Sequence, residues 1–95
     1  THMSKPVILL ADADLDQLNS LAVLLSRHFR VMKAPDGASA YLALKDKKFD
    51  LIVTETDMSG FKGIELIDRI RKEGINTPVI LYCKKPSTLE LKKAL

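Results

Sequence analysis

Acidic residues gather at the carboxyl ends of apolar segments in this chain. Asp50-Leu51-Ile52-Val53-Thr54-Glu55 reads as a strand that delivers Glu55 to its end, and Thr56-Asp57-Met58-Ser59-Gly60-Phe61-Lys62-Gly63 turns into a helix. Val7-Ile8-Leu9-Leu10-Ala11 is a second such strand, followed by Asp12-Ala13-Asp14. In an open α/β sheet, ligands and chemistry collect outside the carboxyl ends of the strands. If the two strands are parallel neighbours, several carboxylates, Asp12, Asp14, Glu55 and Asp57, converge there. Such a set can hold a hard divalent cation such as Mg2+ through oxygen ligands. It can also present one carboxylate as a nucleophile to a phosphoryl group while a metal neutralises charge. A structural alternative stands beside both uses: acids at strand ends cap the helices that follow, as Asp14 or Asp16 would. Spacing alone leaves these readings open.

The elements that must position these acids follow from apolar patterning. Val79-Ile80-Leu81-Tyr82-Cys83 is a third apolar strand, introduced by Asn76-Thr77-Pro78, and Arg30-Val31-Met32-Lys33 is a short one with the polar flanks of an edge. Continuous apolar runs suit a parallel sheet covered on both faces. Between the strands lie helical patterns. Leu15, Leu18, Leu21, Ala22, Leu25 and Phe29 recur at helical spacing, Asp36-Gly37 introduces a helix carrying Ala38, Tyr41, Leu42 and Leu44, and Ile64, Ile67 and Ile70 mark a third that Gly74 stops. Ser87-Thr88-Leu89-Glu90 has the spacing of a capping box and starts a fourth. The order is β-α-β-α-β-α-β-α, a doubly wound parallel sheet between helical layers.

The chain has 95 residues, enough for one small domain. Thr1-His2-Met3 reads as a cloning remnant, which leaves residues 4–95 as a single domain. The one cysteine, Cys83, excludes an internal disulfide and fits a reducing cytoplasm. A net charge of +3 is too small to argue for nucleic acid, and the lysine groups Lys45, Lys47, Lys48 and Lys84, Lys85, Lys92, Lys93 read as solvated surface. No apolar run approaches the roughly 20 residues needed to span a bilayer.

Five pieces, in order and without gaps, resemble the receiver domain of bacterial two-component response regulators. They are Val7 to Asp14, Ala34-Pro35-Asp36-Gly37-Ala38-Ser39-Ala40, Asp50 to Gly60, Gly63-Ile64-Glu65-Leu66, and Asn76-Thr77-Pro78-Val79-Ile80. The resemblance implies a flavodoxin-like, CheY-like fold of three layers. It also implies phosphoryl transfer from a histidine kinase to an aspartate that ends the third strand. Glu55 stands at that phosphoacceptor position. The family's acidic pair falls on Asp12 and Ala13, and its hydroxyl residue at the end of the fourth strand falls on Cys83.

The site therefore departs from the family pattern. Glu55 reaches one methylene further than aspartate, roughly 1.5 Å by C–C bond length, and a misplacement of about 1 Å can cost a factor near 10² in rate. Glu55 reads either as a permanently charged, partly phosphate-like group or as a solvated strand-end acid. Ala13 removes a metal ligand, so Asp12, Glu55 and Asp57 leave at most a weak Mg2+ site and no cofactor is expected. Asp14 reads as a helix cap. Cys83 fits a small buried apolar residue, and His28, exposed near the end of the first helix, is a poor base for cysteine chemistry.

The family's fifth strand, with its lysine, and its last helix would follow Leu95. Tyr82-Cys83-Lys84-Lys85-Pro86 imitates the fifth-strand pattern, but that register deletes the fourth helix, and the ungapped register is preferred. Truncation there would leave the edge Val79 to Cys83 open, inviting a homo-oligomer, an exchanged dimer or a docked partner. The leading expectation is a pseudo-receiver: a phosphorylation-independent, non-enzymatic interaction module whose protein partner is a kinase, an output domain or a second copy. A working receiver phosphorylated on Glu55 or Asp57 is the alternative. A flavodoxin-like enzyme or nucleotide binder would need a Gly-rich loop where Asp12-Ala13-Asp14-Leu15 stands.

Overall fold

A computed structural model describes residues 5–58 and 61–83. Thr1-His2-Met3, the helix expected from Ser87 and the second lysine group lie outside the described residues. Among the described residues four strands, β1 (Val7–Ala11), β2 (Arg30–Ala34), β3 (Leu51–Glu55) and β4 (Val79–Tyr82), alternate with three helices, α1 (Leu15–Leu25), α2 (Gly37–Asp46) and α3 (Gly63–Lys72). The sheet is parallel throughout, in the order β2-β1-β3-β4. β4 pairs with β3 and is the outermost strand on that side among the described residues. β2 is an edge, as its polar flanks predict.

Both faces of β1 are covered, which is why its sequence is apolar throughout. Leu9 and Ala11 join Ile52, Ala40, Leu44, Leu66 and Ile70 in the core under α2 and α3, whereas Leu10 packs with Leu18 and Ala22 of α1 and with Val31 and Val53. Each fully buried Leu or Ile contributes about 1.5–3 kcal/mol of hydrophobic free energy. Four side chains expected in the helical stripes are exposed instead: Leu15, Ala38, Leu42 and Ile64. The core side of α3 is carried by Leu66 and Ile70, one turn apart, and Ile67 is only half-buried. Phe29 falls beyond α1, which ends at Leu25.

Local chemistry fixes where the helices start and stop. The Asp14 carboxylate accepts the N–H groups of Asp16 and Gln17 at 3.1 and 3.2 Å. Asp36 accepts that of Ser39 at 2.7 Å. Gly74 closes α3 with φ of +81°, a left-handed conformation that glycine adopts without a Cβ penalty, and Ile75 N–H returns to Ile70 O at 2.9 Å.

A polar cluster ties α2 to α3 on the surface. Tyr41 Oη donates to Glu73 Oε2 at 2.5 Å, and Lys45 and Arg69 lie 3.0 and 3.1 Å from the same carboxylate. The Tyr41 hydroxyl first, then Lys45, hold the Glu73 carboxyl down at about 2. A lowered folded-state value means stability that is present above the ordinary 4.5 and lost as pH falls towards about 2.

Two outcomes follow for denaturation experiments. Asp36→Ala should cost about 1 kcal/mol in urea unfolding, the usual loss for a side-chain cap. Glu73→Gln should lower the denaturation midpoint near neutral pH, with the difference from the parent shrinking as pH falls through the window between 4.5 and about 2. A gap of constant size across that window would show that the carboxylate's charge is not what links the helices.

Candidate functional site

Strand register decides which side chains meet at the carboxyl edge of the sheet. Ala11 of β1 stands opposite Thr54 of β3, and Glu55 of β3 opposite Tyr82 of β4. Asp12 follows Ala11 and so comes level with Glu55. Asp12, Glu55 and Tyr82 form one row across the ends of three strands. Side chains alternate along a strand, and Leu10 and Val53, two residues before Asp12 and Glu55, pack against α1. The row therefore lies on the α1 face.

Asp12 and Tyr82 sit two strands apart, roughly 10 Å at the usual strand spacing. A tyrosine is long enough to cross that gap. The Tyr82 hydroxyl donates to Asp12 Oδ2 at 2.6 Å, and Asp12 Oδ1 accepts the N–H of Asp14 at 2.9 Å. Both oxygens of the Asp12 carboxylate thus have a donor, as a charge buried at 0 % exposure requires. Burial first, then the Asp12 hydrogen bond and the charges of Asp12 and Glu55, push the Tyr82 phenol well above its ordinary value of 10. It remains a neutral donor across the physiological range.

Glu55 stands between them in the row and is 2 % exposed, so it is not a solvated strand-end acid. The start of α3 presses on the same strand end. A Cβ added to Gly63 would lie 2.6 Å from Glu55 O, closer than a side chain allows, and 3.2 Å from Thr56 Cα, a tight contact. The absence of a side chain at Gly63 is what lets the helix close over the end of β3.

The other expected site residues lie outside this row. Asp14 is the N-cap of α1, and Asp57 is exposed on the loop after β3. Cys83 does not end β4 and is not a buried apolar residue. It follows Tyr82, is exposed, and its Sγ lies 3.6 Å from Thr56 Oγ1. His28, exposed and edge-on to Phe29, precedes β2 at the opposite, amino edge of the sheet.

The expected ligand set Asp12, Glu55 and Asp57 does not come together. Asp57 is exposed, position 13 is an alanine with no side-chain oxygen, and both Asp12 oxygens are engaged. Among the described residues no group of three His, Cys, Asp or Glu is placed to hold a metal ion. As arranged, these residues do not fit a Mg2+ site. Tyr82 is the member of this row that sequence reading missed. Its one sequence cue is a hydroxyl at the end of an apolar strand, since a buried tyrosine needs a partner for its O–H.

Comparison with known proteins agrees with this architecture. The response regulator receiver domain family matches residues 8–95. The two-component response regulator-like protein PRR37 of rice is 38 % identical over 80 residues, covering 78 % of this chain and 11 % of that protein. The uncharacterized transcriptional regulatory protein YrkP of Bacillus subtilis is 34 % identical over 89 residues, covering 93 % of this chain and 38 % of that one. The chain thus spans much less than half the length of these relatives. The receiver domain of Francisella response regulator 1452 superposes with a TM-score of 0.82 at 29 % identity, covering 94 % of this chain and 74 % of that structure. The parallel sheet in the order β2-β1-β3-β4, with acids at its carboxyl edge, is the CheY-like arrangement. The chain belongs to the response regulator receiver domain family.

Proposed function

We propose that this receiver domain regulates through protein contacts that do not depend on phosphorylation, and that Glu55 marks its phosphoacceptor position. The observation that carries this reading is the state of Asp12, whose two carboxylate oxygens are taken by Asp14 N–H and the Tyr82 hydroxyl. Phosphoryl transfer to a receiver needs a cation to neutralise charge in the transition state. Here the acid that would bind it is occupied, and its neighbour is Ala13. Glu55 itself is longer than aspartate and buried, so its carboxylate does not sit where an incoming phosphoryl group meets an aspartate. Asp57 is exposed but stands outside the row.

The partner in this reading is a protein: a kinase, an output domain, or a second copy. A second copy fits the edge best. Among the described residues β4 is paired on one side only, and Ile80 and Leu81 are 52 % and 39 % exposed. An open apolar edge strand recruits another chain. We assign the domain to a reducing, cytoplasmic setting, in keeping with the free, exposed thiol of Cys83.

Incubation with a small acyl phosphate and Mg2+, followed by intact mass measurement, should leave the protein mass unchanged. A stoichiometric adduct that survives acid and is released by hydroxylamine would establish the working receiver instead. Sedimentation velocity should show a concentration-dependent dimer that Ile80→Lys weakens by about tenfold or more, since a buried charge without a partner costs more than 1.4 kcal/mol. A monodisperse monomer would remove the edge from the account.

A further inference from the structure

We propose that the Tyr82 hydroxyl is the built-in occupant of the acidic pocket and closes it to divalent cations. The row places Asp12 and Glu55 level on neighbouring strands, with both carboxylates buried. Two buried acids at that spacing repel each other. A divalent cation relieves such a pair through oxygen coordination. Here a neutral phenol reaches across from β4 and donates to Asp12 Oδ2 at 2.6 Å. It supplies the hydrogen that the carboxylate needs and brings no positive charge. The tyrosine hydroxyl thus satisfies the oxygen a cation would use.

The inference rests on the reading above for the identity of the pocket. Its test reads cation binding and tyrosine emission, not phosphorylation, so either reading can fail without the other. The full chain and its Tyr82→Phe variant, which lacks only the hydroxyl, are titrated with Mn2+ by electron paramagnetic resonance, and far-UV circular dichroism verifies that both are folded. The variant should bind Mn2+ about tenfold or more tightly than the parent, with Mg2+ competing, because the freed Asp12 oxygen loses a charge-assisted hydrogen bond. Equal binding by the two proteins, including none by either, overturns the proposal.

A second measurement covers the case in which Tyr82→Phe does not fold. The chain has two tyrosines and no tryptophan, so its ultraviolet emission reports on tyrosine alone. A carboxylate that accepts from a phenol quenches that emission. Asp12→Asn should therefore raise it, and unchanged emission would show that the hydroxyl does not rest on Asp12.

Discussion

The pairing of β3 with β1 on one side and β4 on the other decides where every polar side chain at the carboxyl edge comes to rest. Because side chains alternate with a period of two, a slip of one residue in either ladder would send Glu55 to the opposite face from Asp12 or Tyr82. The register is held by burial on both faces. Leu9 and Ile52 belong under α2 and α3, Leu10 and Val53 under α1, and neither set can exchange places without exposing a core. The apolar strands thus do more than fill the interior. They bring an aspartate, a glutamate and a tyrosine level with each other.

Once that row exists, its chemistry is constrained by desolvation. A buried carboxylate must be met by donors or a cation. Asp12 is met by a backbone N–H from the turn that leads into α1 and by a phenol from β4. The same turn provides Asp14 as the cap of α1, so the start of that helix and the satisfaction of Asp12 are one local arrangement. On the other side, Gly63 lets α3 close against the Glu55 carbonyl. The end of β3 is therefore fixed from both faces, by the side-chain row on one and by a helix start on the other.

Much of the fold was legible from the sequence because its signals are local. Val7 to Ala11 needed only an unbroken apolar run. Asp14, Asp36 and Gly74 act on backbone groups within a few residues, and each does what its type predicts. The helical stripes were less legible. Leu15 and Ile64 are apolar at the right spacing but lie in the first turns of their helices, turned away from the sheet. The site was least legible, because it depends on contacts between distant segments. Asp12 and Tyr82 are 70 residues apart, and they meet only through the registers of two ladders. Composition gives no hint that Glu55 is buried, that Cys83 falls one residue past its strand, or that Tyr82 reaches across two strands.

Family membership and local chemistry pull in different directions here. The fold is that of a receiver, and the acids stand at the edge where receivers do their chemistry. The tyrosine changes what that edge can accommodate. The direct measurement is a crystal structure of the chain grown in excess Mg2+. The account predicts the Tyr82 hydroxyl still within hydrogen-bond distance of Asp12 Oδ2, close to 2.6 Å, and no cation between Asp12 and Glu55. A hydrated Mg2+ on Asp12 with Tyr82 swung out of the row would contradict it.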